Sequence, residues 1–350
     1  MGGVVQGRVD VSRHDCRIAL VPSMGLGDSL IYVLLAVNLA RAGYRVTLLS
    51  NHLSYLAEWL PQLEILPFPP PEQTDQLQSR YDLVVADCGG IVAAIDKPAA
   101  ELAQHYVFVG TLKVKREFVF DHTSRVQARF GAEKAACLMP LVRAAGPIRV
   151  IADDRATMVE QVVAFCRERL GILQASDELG LRLPEHCQYR RHQRRVMLHP
   201  TSYNPKKNWP WQKYLRLARR LRASGYEPEF VLSPKERGQW AGFFETEFPV
   251  PTLADTKALA IYLYESGYVI GNDSGVGHLA SALGIPVLTL YRKRRDGFCW
   301  RPGWGDNEVV RPWLSLGALR KSWMYCLSVS RVKRAFDRLA ARHEVCSAHH

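Results

Sequence analysis

Tyr268-Val-Ile-Gly-Asn-Asp-Ser-Gly-Val-Gly-His-Leu-Ala-Ser-Ala-Leu-Gly-Ile-Pro-Val-Leu-Thr-Leu-Tyr291 reads as a buried strand, a turn of small polar residues, a short helix and a second strand. Val269 and Ile270 end a β-branched run. Gly275 and Gly277 let backbone N–H groups approach a ligand, and a helix from about His278 to Leu283 would turn its positive end towards it. The stretch predicts a pocket for an anion such as phosphate. An ordinary strand–helix connection with Asp273 or Ser274 as N-cap fits the same residues.

The same alternation extends in both directions. Towards the C-terminus of the linker, strands are expected at 196–199, 228–232, 268–271 and 286–290, with helices at 211–224, 255–265 and 278–284 between them. The first half opens with an apolar strand at 17–22, the loop Ser23-Met-Gly-Leu-Gly-Asp-Ser29, a helix to Gly43 and a strand at 45–50. Further strands are expected at 64–68, 81–86 and 105–109, and long helices near 123–145 and 154–170. Such alternation implies parallel sheets wrapped by helices. A polar, Arg-rich piece at about 174–194 separates the halves, and 315–343 reads as one or two helices. Two open sheets facing each other leave a cleft at the carboxyl ends of their strands. The loops 23–29, 201–209, 233–237 and 272–278 all follow predicted strands and gather there.

At 350 residues and 47% hydrophobic content, the chain is long enough for two cores. It has no uncharged apolar run of membrane-spanning length, and its first 30 residues carry Arg8, Asp10, Arg13, His14, Asp15 and Arg17 where a secretory signal would be apolar, so a cytoplasmic protein is expected. Eight cysteines are scattered without a C-x-x-C pair, which suggests neither a zinc ribbon nor a redox dithiol. A net charge of +12 favours an anionic partner: nucleic acid, a phosphorylated small molecule or a membrane surface.

Gly25-Leu-Gly27-Asp-Ser-Leu30 begins like a dinucleotide fingerprint, but its last glycine is missing and Asn51 stands where a ribose-binding acid belongs. The loop instead offers Asp28, either as an N-cap of the following helix or as a general base for a substrate hydroxyl. In His199-Pro-Thr-Ser-Tyr-Asn-Pro-Lys-Lys-Asn-Trp-Pro210, Thr201 and Ser202 supply hydroxyls and Lys206 and Lys207 supply charge, a combination suited to a diphosphate. Glu236, just after a strand, is placed to accept from a ribose diol or to serve as a solvated first-turn glutamate. His278 lies in the first turn behind the glycine turn. No second histidine or carboxylate stands at a metal spacing from it, so no metal is expected. Arg292-Lys-Arg-Arg295, with Phe298, Trp300, Arg301, Trp304 and later Arg320, Lys321 and Trp323, forms a basic-aromatic region. It reads as a solvated face or an anion contact.

On Met24-Gly-Leu-Gly-Asp-Ser29, His199-Pro-Thr-Ser202, Lys207-Asn-Trp-Pro210 and Asn272-Asp-Ser-Gly-Val-Gly-His-Leu-Ala280, the chain resembles glycosyltransferase family 9, the heptosyltransferases of lipopolysaccharide core assembly. The resemblance spans most of the chain. It implies the GT-B fold: two Rossmann-like, doubly wound α/β domains with parallel sheets facing across a cleft. An acceptor domain would cover 1–180 and a nucleotide-sugar donor domain 190–315, with C-terminal helices at 316–350 packing back on the first domain. It further implies an inverting, metal-independent reaction in which Asp28 takes the acceptor proton. Thr201, Ser202, Lys207, Ser274 and Gly275 would receive the donor diphosphate, with Asp273 on sugar hydroxyls, Glu236 on ribose and His278 in the same pocket. The implied donor is an ADP-sugar, ADP-heptose in the characterised enzymes, with no cofactor. The acceptor would be an anionic glycolipid met at the cytoplasmic face of the inner membrane, with Lys113, Lys115 and Arg116 as candidate contacts.

The sequence departs from the family pattern at Pro22, where some members carry lysine, and at Leu53, Tyr55, Glu58 and Trp59, where basic residues are expected. Tyr291-Arg-Lys-Arg-Arg295 replaces a Gly-Pro-Thr type ending. A noncatalytic GT-B shell holding anionic glycan or RNA is the competing reading, and a sugar-nucleotide epimerase a third; no specific nucleic acid is expected under the first.

Overall fold

Short β-branched runs flanked by glycine, proline and polar loops build two sheets, each made only of parallel pairs. A computed structural model describes residues 13–90, 95–111, 113–294, 298–314 and 322–347. The first sheet comprises β1 (Arg17–Val21), β2 (Arg45–Leu49), β3 (Glu64–Leu66), β4 (Leu83–Ala86), β5 (Val107–Gly110) and β6 (Gly146–Pro147), in the order β3-β2-β1-β4-β5-β6. The second comprises β7 (His192–His199), β8 (Glu227–Phe230), β9 (Ser266–Asn272), β10 (Val287–Leu290) and β11 (Asn307–Val310), in the order β11-β10-β9-β7-β8.

These orders are the two common doubly wound arrangements, and each reverses direction at one point. In the first sheet the reversal lies between β1 and β4, where Val21 is in register with Ala86. In the second it lies between β7 and β9, where His199 is in register with Gly271. The loops leaving those strand ends are 22–28 and 87–90 in one half, and 200–209 and 273–275 in the other. Topology alone therefore selects where a ligand can enter.

The helices used below are α1 (Leu26–Arg41), α2 (Met158–Glu168), α3 (Trp211–Ala223), α4 (Pro234–Trp240), α5 (Thr256–Tyr264), α6 (Gly275–Ala282), α7 (Ser322–Cys326) and α8 (Val329–Ser347). α1 is apolar nearly all round, with Leu30 through Val37 buried, because it packs on its own sheet, on α2 and on α6 of the other half. α2 is amphipathic and starts with a full capping box, Thr157 with Glu160. One hydrophobic cluster joins Ile31, Val33 and Leu34 of the first half to Val269, Leu279 and Leu283 of the second, so the cleft has an apolar floor. Polar ties reinforce it: Met158 donates its N–H to the Cys299 carbonyl at 2.8 Å, and Trp304 Nε1 donates to the Asp177 carbonyl at 2.8 Å.

The C-terminal helices correct one expectation. Val332, Ala335, Phe336 and Leu339 of α8 have helical i, i+3, i+4, i+7 spacing and enter the core of the second half with Val196, Leu198, Phe230 and Tyr268. α7 and α8 thus pack on the donor-type half, where the resemblance had placed 316–350 back on the first domain. The apolar stripe matches the open face of β10 and β11, and burying Phe336 there is worth about 3 kcal/mol or more. The helix expected near 123–145 is interrupted at Phe130-Gly131, giving helices at 123–129 and 132–143. β6 and β11 are short edge strands with too few alternating residues to show in the sequence. Among the described residues no helix is long and apolar enough to cross a membrane.

Candidate active site

Asp28 is brought to the reversal point of the first sheet by the start of α1. Gly25 is the N-cap in extended backbone with no side-chain cap, and the helix begins at Leu26, so Asp28 lies inside the first turn and is not the capping residue. A Cβ on Gly25 would come within 2.6 Å of Asp28 Oδ2; glycine leaves room for the carboxylate. One turn on, the buried Tyr32 hydroxyl donates to the Val109 carbonyl and fixes α1 over the end of β5. There Thr111 Oγ1 stands 3.2 Å from Asp28 Oδ1 and 3.0 Å from Asp87 Oδ2. Asp87 is further held by the N–H groups of Thr111 at 2.9 Å and Gly89 at 2.8 Å. Burial first, and the charge of Asp87 second, push the Asp28 pKa up to about 6, against the opposing pulls of Thr111 and Lys207. A carboxylate poised just below neutral pH suits proton abstraction.

The second half supplies the opposite wall. Lys207 Nζ pairs with Asp273 Oδ2 at 2.7 Å, with both side chains partly exposed to the cleft. The buried Asn272 ties the two loops together: its amide donates to the Pro200 carbonyl at 2.7 Å and its oxygen accepts from Trp209 N at 3.1 Å. His199 is enclosed, with Nδ1 3.0 Å from Ser274 Oγ and Nε2 3.2 Å from Thr201 Oγ1, and burial holds its pKa below the ordinary value. Ser202 Oγ donates within the loop, 2.9 Å from the Asn204 carbonyl and 2.7 Å from Asn208 Oδ1. Glu236 caps α4 through Ser233 N at 2.9 Å and Ser233 Oγ at 2.7 Å. Burial opposes its ionisation, but His199 and the bonds from Ser233 and Thr201 outweigh it and hold its pKa low.

The halves meet glycine to glycine. A Cβ on Gly275 would lie 2.8 Å from Leu26 Cβ and 3.0 Å from Gly27 N, and one on Gly27 would lie 3.2 Å from His278 Cδ2. The first turns of α1 and α6 therefore abut. His278 is buried and meets Trp300 edge-on at 5.9 Å. Burial lowers its pKa, against the pull of Asp273 and the Trp300 backbone, and its Nδ1 has no hydrogen-bond partner among the described residues.

Asp28, Thr201, Ser202, Lys207, Asp273, Ser274, Gly275 and His278 thus fall at the two facing reversal points, and Glu236, after the neighbouring edge strand β8, reaches the His199–Thr201 side of the second. Lys113, Lys115 and Arg116 are exposed on the loop beyond Thr111, where Lys115 pairs with Glu117 at 3.3 Å. Of the basic run, Arg292 is half-buried and Lys293 and Arg294 are exposed; Arg295, Arg320 and Lys321 lie outside the described residues. The sequence reading missed Asp87 and Thr111, which orient Asp28, and His199 and Asn272, which order the opposite loops. Each ends a strand or directly follows one, and that position was the available signal. Among the described residues no group of three or more His, Cys, Asp or Glu side chains could hold a metal ion.

Two parallel α/β domains with reversal points facing one cleft define the GT-B fold, and solved structures share it. The glycosyl transferase family 9 protein of Veillonella parvula superposes with a TM-score of 0.63 at 17% identity, covering 93% of this chain and 98% of that one. The ADP-heptose lps heptosyltransferase II of E. coli gives 0.62 at 17% identity over 94% and 99% of the two chains. E. coli heptosyltransferase WaaC with ADP-2-deoxy-2-fluoro heptose gives 0.58 at 17% identity over 92% and 99%. The chain belongs to glycosyltransferase family 9 (heptosyltransferase), whose sequence profile residues 141–316 match. It is also 28% identical over 134 residues to lipopolysaccharide heptosyltransferase 1 of Pseudomonas aeruginosa, a stretch spanning 37% of each protein.

Proposed function

We propose that the protein is an inverting, metal-independent glycosyltransferase that moves heptose or a related sugar from an ADP-sugar to an anionic glycolipid of the lipopolysaccharide-core type. The observation that carries this reading is the position of Asp28, raised to about 6, within electrostatic reach of Lys207 on the opposite loop. In one displacement, Asp28 accepts the proton of an acceptor hydroxyl while that oxygen bonds to the anomeric carbon. The bond from that carbon to the diphosphate breaks, and the diphosphate leaves with the electron pair. Lys207, the hydroxyls of Thr201, Ser202 and Ser274, and the free N–H groups at the start of α6 take up its charge. Glu236 serves the ribose and Asp273 the sugar hydroxyls. The orphan Nδ1 of His278 is left for a ligand group. Lys113, Lys115 and Arg116 flank the Asp28 side and would meet the anionic acceptor. The surface charge suits work at the cytoplasmic face of the inner membrane.

The test is incubation with ADP-heptose and other ADP- and UDP-sugars, with and without core glycolipid acceptors, in excess chelator. Mass spectrometry then reads product mass and released nucleotide. Acceptor-dependent gain of one sugar mass supports the proposal. Binding without any nucleotide release would favour the noncatalytic shell, and donor conversion without acceptor would favour an epimerase.

A further inference from the structure

A strongly basic concavity lies outside the cleft residues described above. Beyond the carboxyl ends of β10 and β11, a groove of about 740 Å³ is lined by Arg294, Arg311, Arg331, Arg334, Arg338 and Trp313, with only Val309, Val310 and Pro312 besides. Among the described residues no carboxylate lines it. Arg331, Arg334 and Arg338 lie together on α8, at i, i+3 and i+7, on a face that flanks the buried stripe anchoring the helix in the core. The helix is thus held rigidly while its outer arginines converge with Arg294 and Arg311 from the strand ends.

Like charges gathered in one concavity repel unless an anion sits among them. Arg338 is neutralised by Glu308 at the rim. Arg294, Arg331 and Arg334 form no salt bridge among the described residues. Guanidinium groups are planar forks suited to phosphate oxygens, and a groove of this volume takes a headgroup bearing two or more phosphates. Trp313, 61% exposed at the edge, is an indole stationed where an apolar boundary would meet it.

We infer that this groove is a phosphate-binding site, separate from the nucleotide cleft, that takes a ligand carrying at least two phosphate groups. The groups belong either to anionic lipid headgroups at a membrane surface or to a soluble phosphorylated sugar. The inference does not rest on the transfer reaction.

The full chain is compared with R331Q/R334Q and with R143Q/R149Q, a control that removes the same charge from exposed arginines of the first half. Binding is measured to vesicles of phosphatidylglycerol and cardiolipin, to neutral phosphatidylcholine vesicles, and by calorimetry to fructose 1,6-bisphosphate and to ADP. R331Q/R334Q should weaken binding about 30-fold, the effect of two arginines at a phosphate surface, with ADP affinity and melting temperature unchanged. Loss confined to anionic vesicles assigns lipid headgroups, and loss confined to the bisphosphate assigns a soluble sugar phosphate. Either supports the site. Equal loss in the control pair, or no loss in R331Q/R334Q, overturns it.

Discussion

Replacing Asp28 by Asn should make the protein more stable and unable to turn over. Burial and the neighbouring Asp87 raise its carboxyl from an ordinary 3.8 to about 6. Holding the ionised form at neutral pH therefore costs the fold about 3 kcal/mol, or about 2 kcal/mol once partial solvent contact is allowed for. The sign follows from the direction of the shift. With the folded value above the unfolded one, the group's favourable contribution is complete below about pH 3.8 and is lost as pH rises through about 6. Asn carries no charge at any pH, so its advantage is full at pH 7.5 and shrinks as the medium is acidified through 6 towards 4. At about 2.1 cal/mol/K of unfolding entropy per residue, the gain in melting temperature at pH 7.5 is about 3 °C. Loss of the base should cut transfer at least ~100-fold. Differential scanning calorimetry across pH 4 to 8, alongside nucleotide release, reads both. A melting temperature that falls, a gain that does not shrink with acid, or full turnover by the variant would refute the reasoning.

The pH profile of kcat/KM should rise tenfold per unit up to about 6 and then level; a flat profile between pH 5 and 7 would remove Asp28 from the role of base. Lys207→Ala should weaken ADP binding roughly 10- to 100-fold by calorimetry, through loss of a charge-assisted contact and release of Asp273 from its 2.7 Å ion pair; affinity within twofold of the parent counts against the diphosphate role. Gly275→Ala places a methyl group 2.8 Å from Leu26 Cβ and should cost about 1–3 kcal/mol by prising α1 from α6. An unchanged melting temperature together with unchanged turnover would show that the two halves need no glycine contact.

Much of this was legible because strand ends carry the chemistry. Val21, Leu198 and Ile270 belong to unmistakable apolar runs, and the pattern of such runs alone puts the loops after them on one edge. Those loops held Asp28, Lys207 and Asp273. Partnership was not legible. Asp87 and Thr111 stand far from residue 28 in sequence, and only the pairing of β1 with β4 and β4 with β5 brings them to its carboxylate. The destination of α8 was equally hidden, since an amphipathic stripe states that a helix will be covered on one side without stating by which sheet. Val309 and Val310 alone do not mark an edge strand; β11 exists because β10 offers it an unpaired ladder.

Because α1 and α6 bring their amino ends nose to nose at Gly27 and Gly275, the resting enzyme holds two like electrical poles together, each about half a unit positive. The ionised Asp28 carboxylate in the first turn of α1 brings one full negative charge, enough to offset both. Protonating that carboxylate, as a general base must be in turnover, would leave the two poles facing each other without a counterion. Each turnover would thus lift the balancing charge from the seam and return it when the proton leaves, tying the grip between the lobes to the protonation of one side chain.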